Sequence, residues 1–463
     1  MTVPYRPLPQ LWSSSVRFVI VCAAAIVSLG DFWRLPYLVA TYGGGAFLLV
    51  YAAALVVMGL PVFSAQMLMA RGCHTDLPGV VSMWTRDTAY SRAWVIGAYA
   101  TLLGALLLLA AYTVVASWSL AYSLRALVGA LQVASIEQGS ARFVAFARDG
   151  ERGLGWLLLF VLVLVATTAR GLRKGTEPVM RTLVVCILGL LFLLGILAWR
   201  YPPEAAALQE SLRFDFAALG VRGLLEALYQ AFFSLSLGTG VIISLASHLP
   251  ARAPAIRLSV IVIAISQMVA LLFGFVIARL LPGGAAQLGG GVQRIFEVLP
   301  SLVEPSWAMA LLFALFAVVG MTTGIGLFEA LVQGVSHRFR IPRMRAAVYT
   351  GVVIGLLGLL AQNSFGVLAF WHPAQRNIFD WFSLVSAHLL IPATGLMLCV
   401  LVGRVLARRQ LLAAWQGDET ATVGAGGFAV WLWLLRYPAR IALIVVVAYS
   451  LGALTLIEAI WRP

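Results

Sequence analysis

Between Ser28 and Pro36 the chain sets Ser28, Leu29, Gly30, Asp31, Arg34 and Pro36 inside what is otherwise an apolar run, Ile20 to Met69. A segment that crosses a bilayer has to satisfy its backbone polar groups internally. Glycine, a carboxylate, a guanidinium and a proline packed this closely oppose an uninterrupted helix. Irregular backbone at that depth is tolerated only where it faces protein, water or a bound polar ligand. The chemistry on offer is a helix broken near mid-membrane, with freed carbonyls and amides to hold an ion or a charged solute. A kinked span with Asp31 paired to Arg34 is the structural alternative for the same residues.

The same device recurs. The apolar stretch Leu224 to Leu249 is interrupted by Ser236, Leu237, Gly238, Thr239 and Gly240, so the triplet Ser-Leu-Gly stands at both interruptions. Paired interrupted segments at corresponding places in two halves point to the binding site of a secondary transporter. A third stretch, FAVVGMTTGIGLFEALVQ, sets Thr322 beside Thr323. A threonine in an apolar helix commonly bonds back to its own i−4 carbonyl. Adjacent threonines point in different directions, so one is free to offer its oxygen inward to a hard ion such as sodium. Tyr112, with Thr113, Ser117 and Trp118 nearby, supplies a phenolic donor that needs a partner in apolar surroundings.

The elements that must position these groups are membrane helices. Of 463 residues, 62% are hydrophobic and 11% charged, far below the roughly 25% charge of a globular chain. We expect an all-α polytopic membrane domain over residues 1–463, surrounded by lipid, with spans at 16–38, 44–70, 93–127, 154–170, 179–199, 224–248, 256–280, 306–336, 345–363, 379–403 and 437–459. The net charge of +14 does not mark a nucleic-acid binder, because the basic residues fall on alternate loops as the positive-inside rule requires. That pattern puts the N-terminus in the cytoplasm and, with eleven spans, the C-terminus outside. Cys22, Cys73, Cys186 and Cys399 have no disulfide or metal spacing. No Ser-His-Asp, Cys-His or metal set is visible, so an enzyme is not expected. The Gly-rich Leu281–Gly291 and the Ile295–Leu299 run read as a lid over an outer vestibule.

SLGDFWRLPYLVATYGGGAF resembles the first two helices of the neurotransmitter:sodium symporter family; FFSLSLGTG is similar to its sixth helix, VVGMTTGIGLFE to its eighth, and WLWLLRYPARIALIVV to the last helix of its eleven-span bacterial members. The likeness runs over essentially the whole chain. It implies five helices (16–199) repeated in inverted topology (224–403), broken helices one and six, and an eleventh helix (437–459). It further implies symport of an amino acid with one or two sodium ions across a bacterial inner membrane.

Carried over by residue, the second sodium site comprises Ala24, Val27, Val319, Thr322 and Thr323. The substrate carboxylate is expected at the backbone of Leu29 and Gly30 and the hydroxyl of Tyr112. Leu108, Phe233, Ser236, Thr239, Thr323 and Leu327 would wall the substrate's body. Ser28 stands where amino-acid carriers have glycine and monoamine carriers have aspartate. The apolar wall, with no spare acid, favours a neutral, hydrophobic amino acid.

The first sodium site departs from the family pattern, with Ile26, Asp31, Ser234 and Ser266 as its candidates and Asp31 in place of an asparagine. Either Asp31 binds sodium more directly, or it carries a proton and part of the coupling, since an unpaired buried carboxylate tends to neutralise. Positions aligned with the family's chloride ligands are Tyr51, Gln230, Ser234, Ser266 and Ala270; beside Asp31, chloride is not expected. The outer gate would be Arg34 and Phe233, with Asp380 as the acid within reach because the usual position holds Ser383. The inner gate loses its arginine to Pro9 and its acid to His337, leaving Arg6 as a substitute. A mainly proton-coupled carrier or a non-transporting sensor of the same fold is the alternative function. Whether two copies pair as a homodimer is not written in the sequence.

Overall fold

The computed structural model describes residues 11–88, 90–200, 213–281, 285–416 and 425–452. Among these residues the architecture is helical throughout, with a single bridge between Gly44 and Phe214 instead of a sheet. Side chains such as Leu162, Val185, Phe192, Met268 and Val352 point outward from the bundle, as helices solvated by lipid tails require.

The first span is two helices, α1 (Ser15–Ile26) and α2 (Gly30–Thr41), bent by 61° at the break. α1 stops because Val27 turns to ψ 109° and the Ser28 amide leaves the helix to donate to the Asp31 carboxylate at 2.9 Å. Asp31 thus lies in the first turn of α2, just beyond the break, where a carboxylate also faces the positive helix end. Pro36 is accommodated inside α2. α3 (Gly45–Ala70) follows, then the short α4 (Leu77–Thr85), the long α5 (Ser91–Leu127), α6 (Ile136–Arg148), α7 (Gly150–Ala169) and α8 (Leu172–Arg200).

The sixth span is likewise split into α9 (Phe216–Ser234) and α10 (Val241–Ala246). Between them Ser236 takes φ 49°, Gly238 φ 74° and Gly240 φ 82°. Gly238 has to be glycine on two counts: its φ is left-handed, and a Cβ there would stand 2.4 Å from the Ile391 carbonyl. Thr394 donates to the Gly238 carbonyl at 2.9 Å and so pins the break from the side. The remaining helices are α11 (Ala255–Leu280), α12 (Val292–Leu302), α13 (Ser306–Phe339), α14 (Arg343–Asn363), α15 (Ile378–Val405), α16 (Arg408–Gln416), α17 (Ala425–Arg436) and α18 (Pro438–Ser450).

Among the described residues, eight helices are long and apolar enough to cross a membrane, or ten if each of two bent pairs counts as one span. The expected eleven also needs the interrupted 216–246 segment. Among the described residues the final apolar segment runs Gly426–Ser450, so it begins before the expected 437. Pro438 sits in the first turn of α18, where its missing N–H costs little, so Arg436 and Tyr437 do not mark a span start. Residues 453–459 lie outside the described residues.

Two devices tie distant segments of the bundle together. The turn after α2 is clasped to the start of α9: the Gly45 amide donates to Arg213 O at 2.9 Å and the Asp215 amide to Gly43 O at 3.3 Å. Asp215 itself caps α9, accepting from Ala217 and Ala218 at 3.0 Å each, and the Ala218 amide helps hold its carboxyl below the ordinary aspartate value. Gly43 has φ 82°, and a Cβ there would fall 2.1 Å from the Asp215 carbonyl. Gly43→Ala is therefore expected to lower thermal stability in detergent by about 1–3 kcal/mol; an unchanged melting curve would show the clasp to be dispensable. The second device is an aromatic cluster that seats α12 over the bundle: Trp118 packs edge-on to Phe143, Phe296 and Phe365 and donates to Gln362 Oε1 at 2.7 Å.

Candidate functional site

The two breaks face each other. Ser236 Oγ donates to the Ile26 carbonyl at 3.4 Å, and Ser234 Oγ donates to Asp31 Oδ1. Beside them lies a cavity of about 670 Å³. Ser28 and Gly30 line it from the first break, Phe233, Ser236 and Thr239 from the second. Leu108 and Tyr112 come from α5, and Thr323 and Leu327 from α13. All nine belong to the substrate set read from the sequence. Leu29 lies behind the wall with its side chain buried, and Ser234 is turned to Asp31 and to Tyr51, whose hydroxyl is 2.8 Å away.

At the start of α2 the Asp31 and Phe32 amides are used, donating to Ser28 O and Leu29 O at 3.0 Å each. The amides of Leu29 and Gly30 make no hydrogen bond to another backbone carbonyl and face the Tyr112 phenol instead. Tyr112 presents its hydroxyl to the same two residues and to Ser28. Amides at a helix N-terminus that turn to a phenol and not to a backbone carbonyl form a ready site for a carboxylate. The apolar side of the cavity, with Leu108, Phe233 and Leu327, then receives an uncharged body.

Next to this pocket the hydroxyls of Thr322 and Thr323 project from α13. Thr322 donates to Val319 O at 2.9 Å. Thr323 Oγ1 lies 2.7 Å from the Val27 carbonyl and 3.2 Å from that of Val319. One hydroxyl proton serves only one of those carbonyls, so oxygens outnumber hydrogens here. Ala24 adds a carbonyl from the last turn of α1, freed because the Ser28 amide has gone to Asp31. An oxygen-rich cluster at a helix break, without a metal-type His/Cys/acid group among the described residues, suits a hard monovalent cation.

Asp31, 1% exposed, is not an unpaired acid. Oδ2 accepts from the Ser28 amide at 2.9 Å and its hydroxyl at 3.0 Å, and Oδ1 from Ser234 Oγ and from Gln230 Nε2 at 2.9 Å. Arg34 is not its partner, so the simple salt-bridge alternative does not describe this site. Ser266 stays apart from the Asp31 cluster: its hydroxyl donates to Ile263 O at 3.0 Å, and Gln267 Nε2 donates to it at 3.4 Å. From α11 the residue that reaches the cluster is Gln267, which accepts from Tyr51 Oη at 2.5 Å.

The charged rims differ from the expected gates. Arg34 pairs with Glu226 at 2.6 Å and lies 4.7 Å from the Tyr229 ring centroid. Asp380 lines the same vestibule but forms a capping box with Asn377 at the start of α15. Phe233 packs against Tyr229 with the rings tilted, 4.6 Å between centroids. At the other end of α1, Glu177 accepts from Arg17 at 2.6 Å and from Ser13 Oγ at 2.9 Å, while Trp12 Nε1 donates to Leu245 O at 2.9 Å. His337 Nδ1 instead accepts from the Asp76 amide at 3.1 Å. Arg6 and Pro9 lie outside the described residues. Glu226, Gln267 and Glu177 were missed from the sequence, although an acid inside the apolar run LLEALYQAFF is itself a functional signal.

Broken, facing helices around a central pocket with hydroxyl and carbonyl oxygens define a membrane symporter. The chain belongs to the sodium:neurotransmitter symporter family, whose sequence profile matches residues 9–141 and 152–458. It is 27% identical over 455 residues to a chain of Bacillus subtilis named an uncharacterised sodium-dependent transporter, covering 96% of this chain and 99% of that one. A Haemophilus influenzae chain named in the same way is 28% identical over 413 residues, covering 86% and 89%. Among solved structures, MhsT in complex with L-phenylalanine matches with a TM-score of 0.80 at 26% identity, over 95% of this chain and 99% of that one.

One effect follows for the pocket. Tyr112→Phe keeps the ring and removes the donor opposite the Leu29 and Gly30 amides. Loss of a hydrogen bond to a charged group costs about 1.5–3 kcal/mol, so substrate affinity is expected to fall roughly ten- to a hundredfold. Equal affinities in a scintillation binding assay would place the carboxylate elsewhere.

Proposed function

We propose that this chain carries a neutral, hydrophobic amino acid together with sodium across the bacterial inner membrane, with its N-terminus in the cytoplasm. The observation that carries the reading is the pair of amides at Leu29 and Gly30 that face Tyr112 and no backbone carbonyl, beside an apolar wall. The L-phenylalanine in the similar MhsT structure supports the substrate class. Sodium is assigned to the Thr322–Thr323 cluster with Ala24, Val27 and Val319, and a second ion to Asp31 with Ile26 and Ser234. The carboxylate of Asp31 makes chloride unnecessary beside it. Residues 16–199 and 224–403 are read as the two inverted repeats.

Uptake into proteoliposomes tests this directly, with labelled amino acids and with sodium and proton gradients imposed separately. Accumulation of hydrophobic amino acids under an inward sodium gradient alone is the expected result. Accumulation under a proton gradient alone would transfer the coupling to protons. Tight binding without accumulation under either gradient would make the chain a sensor.

A further inference from the structure

Five arginines, Arg404, Arg408, Arg409, Arg436 and Arg440, gather where the end of α15 meets α16, α17 and α18. Arg436 donates from Nε to Gly403 O at 2.6 Å, which draws α17 onto α15. The Arg404 guanidinium lies 5.4 Å from the centroid of the Tyr437 ring, and Arg440 follows Arg436 by four residues. Trp415 of α16 packs on Phe428 and Trp431 of α17, so the exposed Arg408 and Arg409 are held at the same end of the bundle. No carboxylate answers this group. The stretches 381–416 and 425–452 contain neither aspartate nor glutamate, and among the described residues none of the five makes an ion pair. Elsewhere at this end the protein supplies the acid itself: Arg17 has Glu177, and Arg343 has Glu329.

A guanidinium within an apolar segment is costly without a partner, and Arg436 and Arg440 lie inside Gly426–Ser450. The arginines of α16 add to the positive potential, since they sit at the end of the helix whose dipole is already positive. Close by in the chain, Trp433 and Tyr437 are exposed, their ring centroids 6.3 Å apart. These two residue types mark the headgroup zone of a bilayer. Beyond Arg440, the exposed Ile441 and Ile444 continue as an apolar track along α18. Positive charge at headgroup level, followed by an apolar track, complements a molecule with an anionic head and hydrocarbon tails. We propose that this patch binds an anionic phospholipid of the surrounding leaflet, with its phosphate among Arg404, Arg436 and Arg440 and its acyl chains along α18. Guanidinium groups present paired N–H donors to phosphate oxygens, and the bound lipid supplies the negative charge that the protein does not.

The test titrates the full-length protein in detergent with phosphatidylglycerol or phosphatidylcholine and counts bound lipid by native mass spectrometry. Wild type is expected to retain phosphatidylglycerol in preference to phosphatidylcholine. Arg404→Gln combined with Arg440→Gln spares the Arg436 contact to α15. Its affinity for phosphatidylglycerol is expected to fall roughly ten- to thirtyfold, from about a fivefold loss for each arginine removed near the lipid surface. Arg408→Gln combined with Arg409→Gln alters only exposed side chains and is expected to lose at least roughly threefold; it decides the matter if the first variant does not fold. Arg338→Gln combined with Arg340→Gln removes the same charge from the end of α13 and is expected to keep the affinity within about twofold of wild type. Wild-type affinity in a folded variant of the patch overturns the proposal. So does an equal loss in the α13 variant, which would make the effect one of net charge, or equal retention of the two lipids by wild type. Displacement of the lipid by millimolar inorganic phosphate would assign the patch to a soluble anion and overturn the lipid reading.

Discussion

Substrate binding by a Thr322→Val, Thr323→Val protein is expected to require about ten to a hundred times more sodium than wild type. Valine keeps the branched shape of threonine, so α13 retains its packing on α1 and the apolar contacts of the site. What disappears is two oxygens from a cluster in which Thr323 lies 2.7 Å from the Val27 carbonyl and Thr322 2.9 Å from that of Val319. A ligand to a charged group is worth about 1.5–3 kcal/mol, and with both removed the remaining carbonyls hold the ion poorly. The check is a sodium titration of labelled substrate binding, with gel filtration to confirm a folded protein. A titration unchanged from wild type would remove these hydroxyls from the mechanism.

Asp31→Asn is expected to weaken ²²Na binding on the order of ten- to a hundredfold. The size follows from counting donors. The carboxylate accepts from the Ser28 amide, the Ser28 hydroxyl, Gln230 and Ser234, which only a group with two acceptor oxygens can satisfy. Asparagine has one such oxygen. Turned either way, its NH₂ faces a buried donor, at a cost of about 1–3 kcal/mol. If it gives up Ser28, the break between α1 and α2 is disturbed as well, and the carbonyl of Ala24 moves with it. Sodium affinity within a factor of about two of wild type, in a protein of unchanged thermal stability, would exclude Asp31 from ion binding.

Much of the site was legible because it is written in local backbone chemistry. Ser28 to Pro36 and Ser236 to Gly240 contain residues that a continuous membrane helix does not use, and both breaks are where those residues stand. The adjacent hydroxyls of Thr322 and Thr323 likewise announce themselves in an apolar run. The span limits were less legible near α17 and α18, because two helices separated only by Tyr437 together form one apolar segment, Gly426–Ser450, that starts before the expected 437.

The sequence by itself determined that this protein is a bundle of membrane helices with two deliberate interruptions, since burial in lipid leaves backbone groups no other partner and makes each exception visible. Tertiary structure alone decided which charges meet. Arg34 is matched by Glu226, 192 residues away, Glu177 takes Arg17 and Ser13, and Gln230 bridges Arg34 to Asp31. Those pairings depend on how far each helix is rotated and shifted against its neighbour. Side chains throughout the packed bundle set that rotation together, and the spacing of residues along one helix carries no record of it.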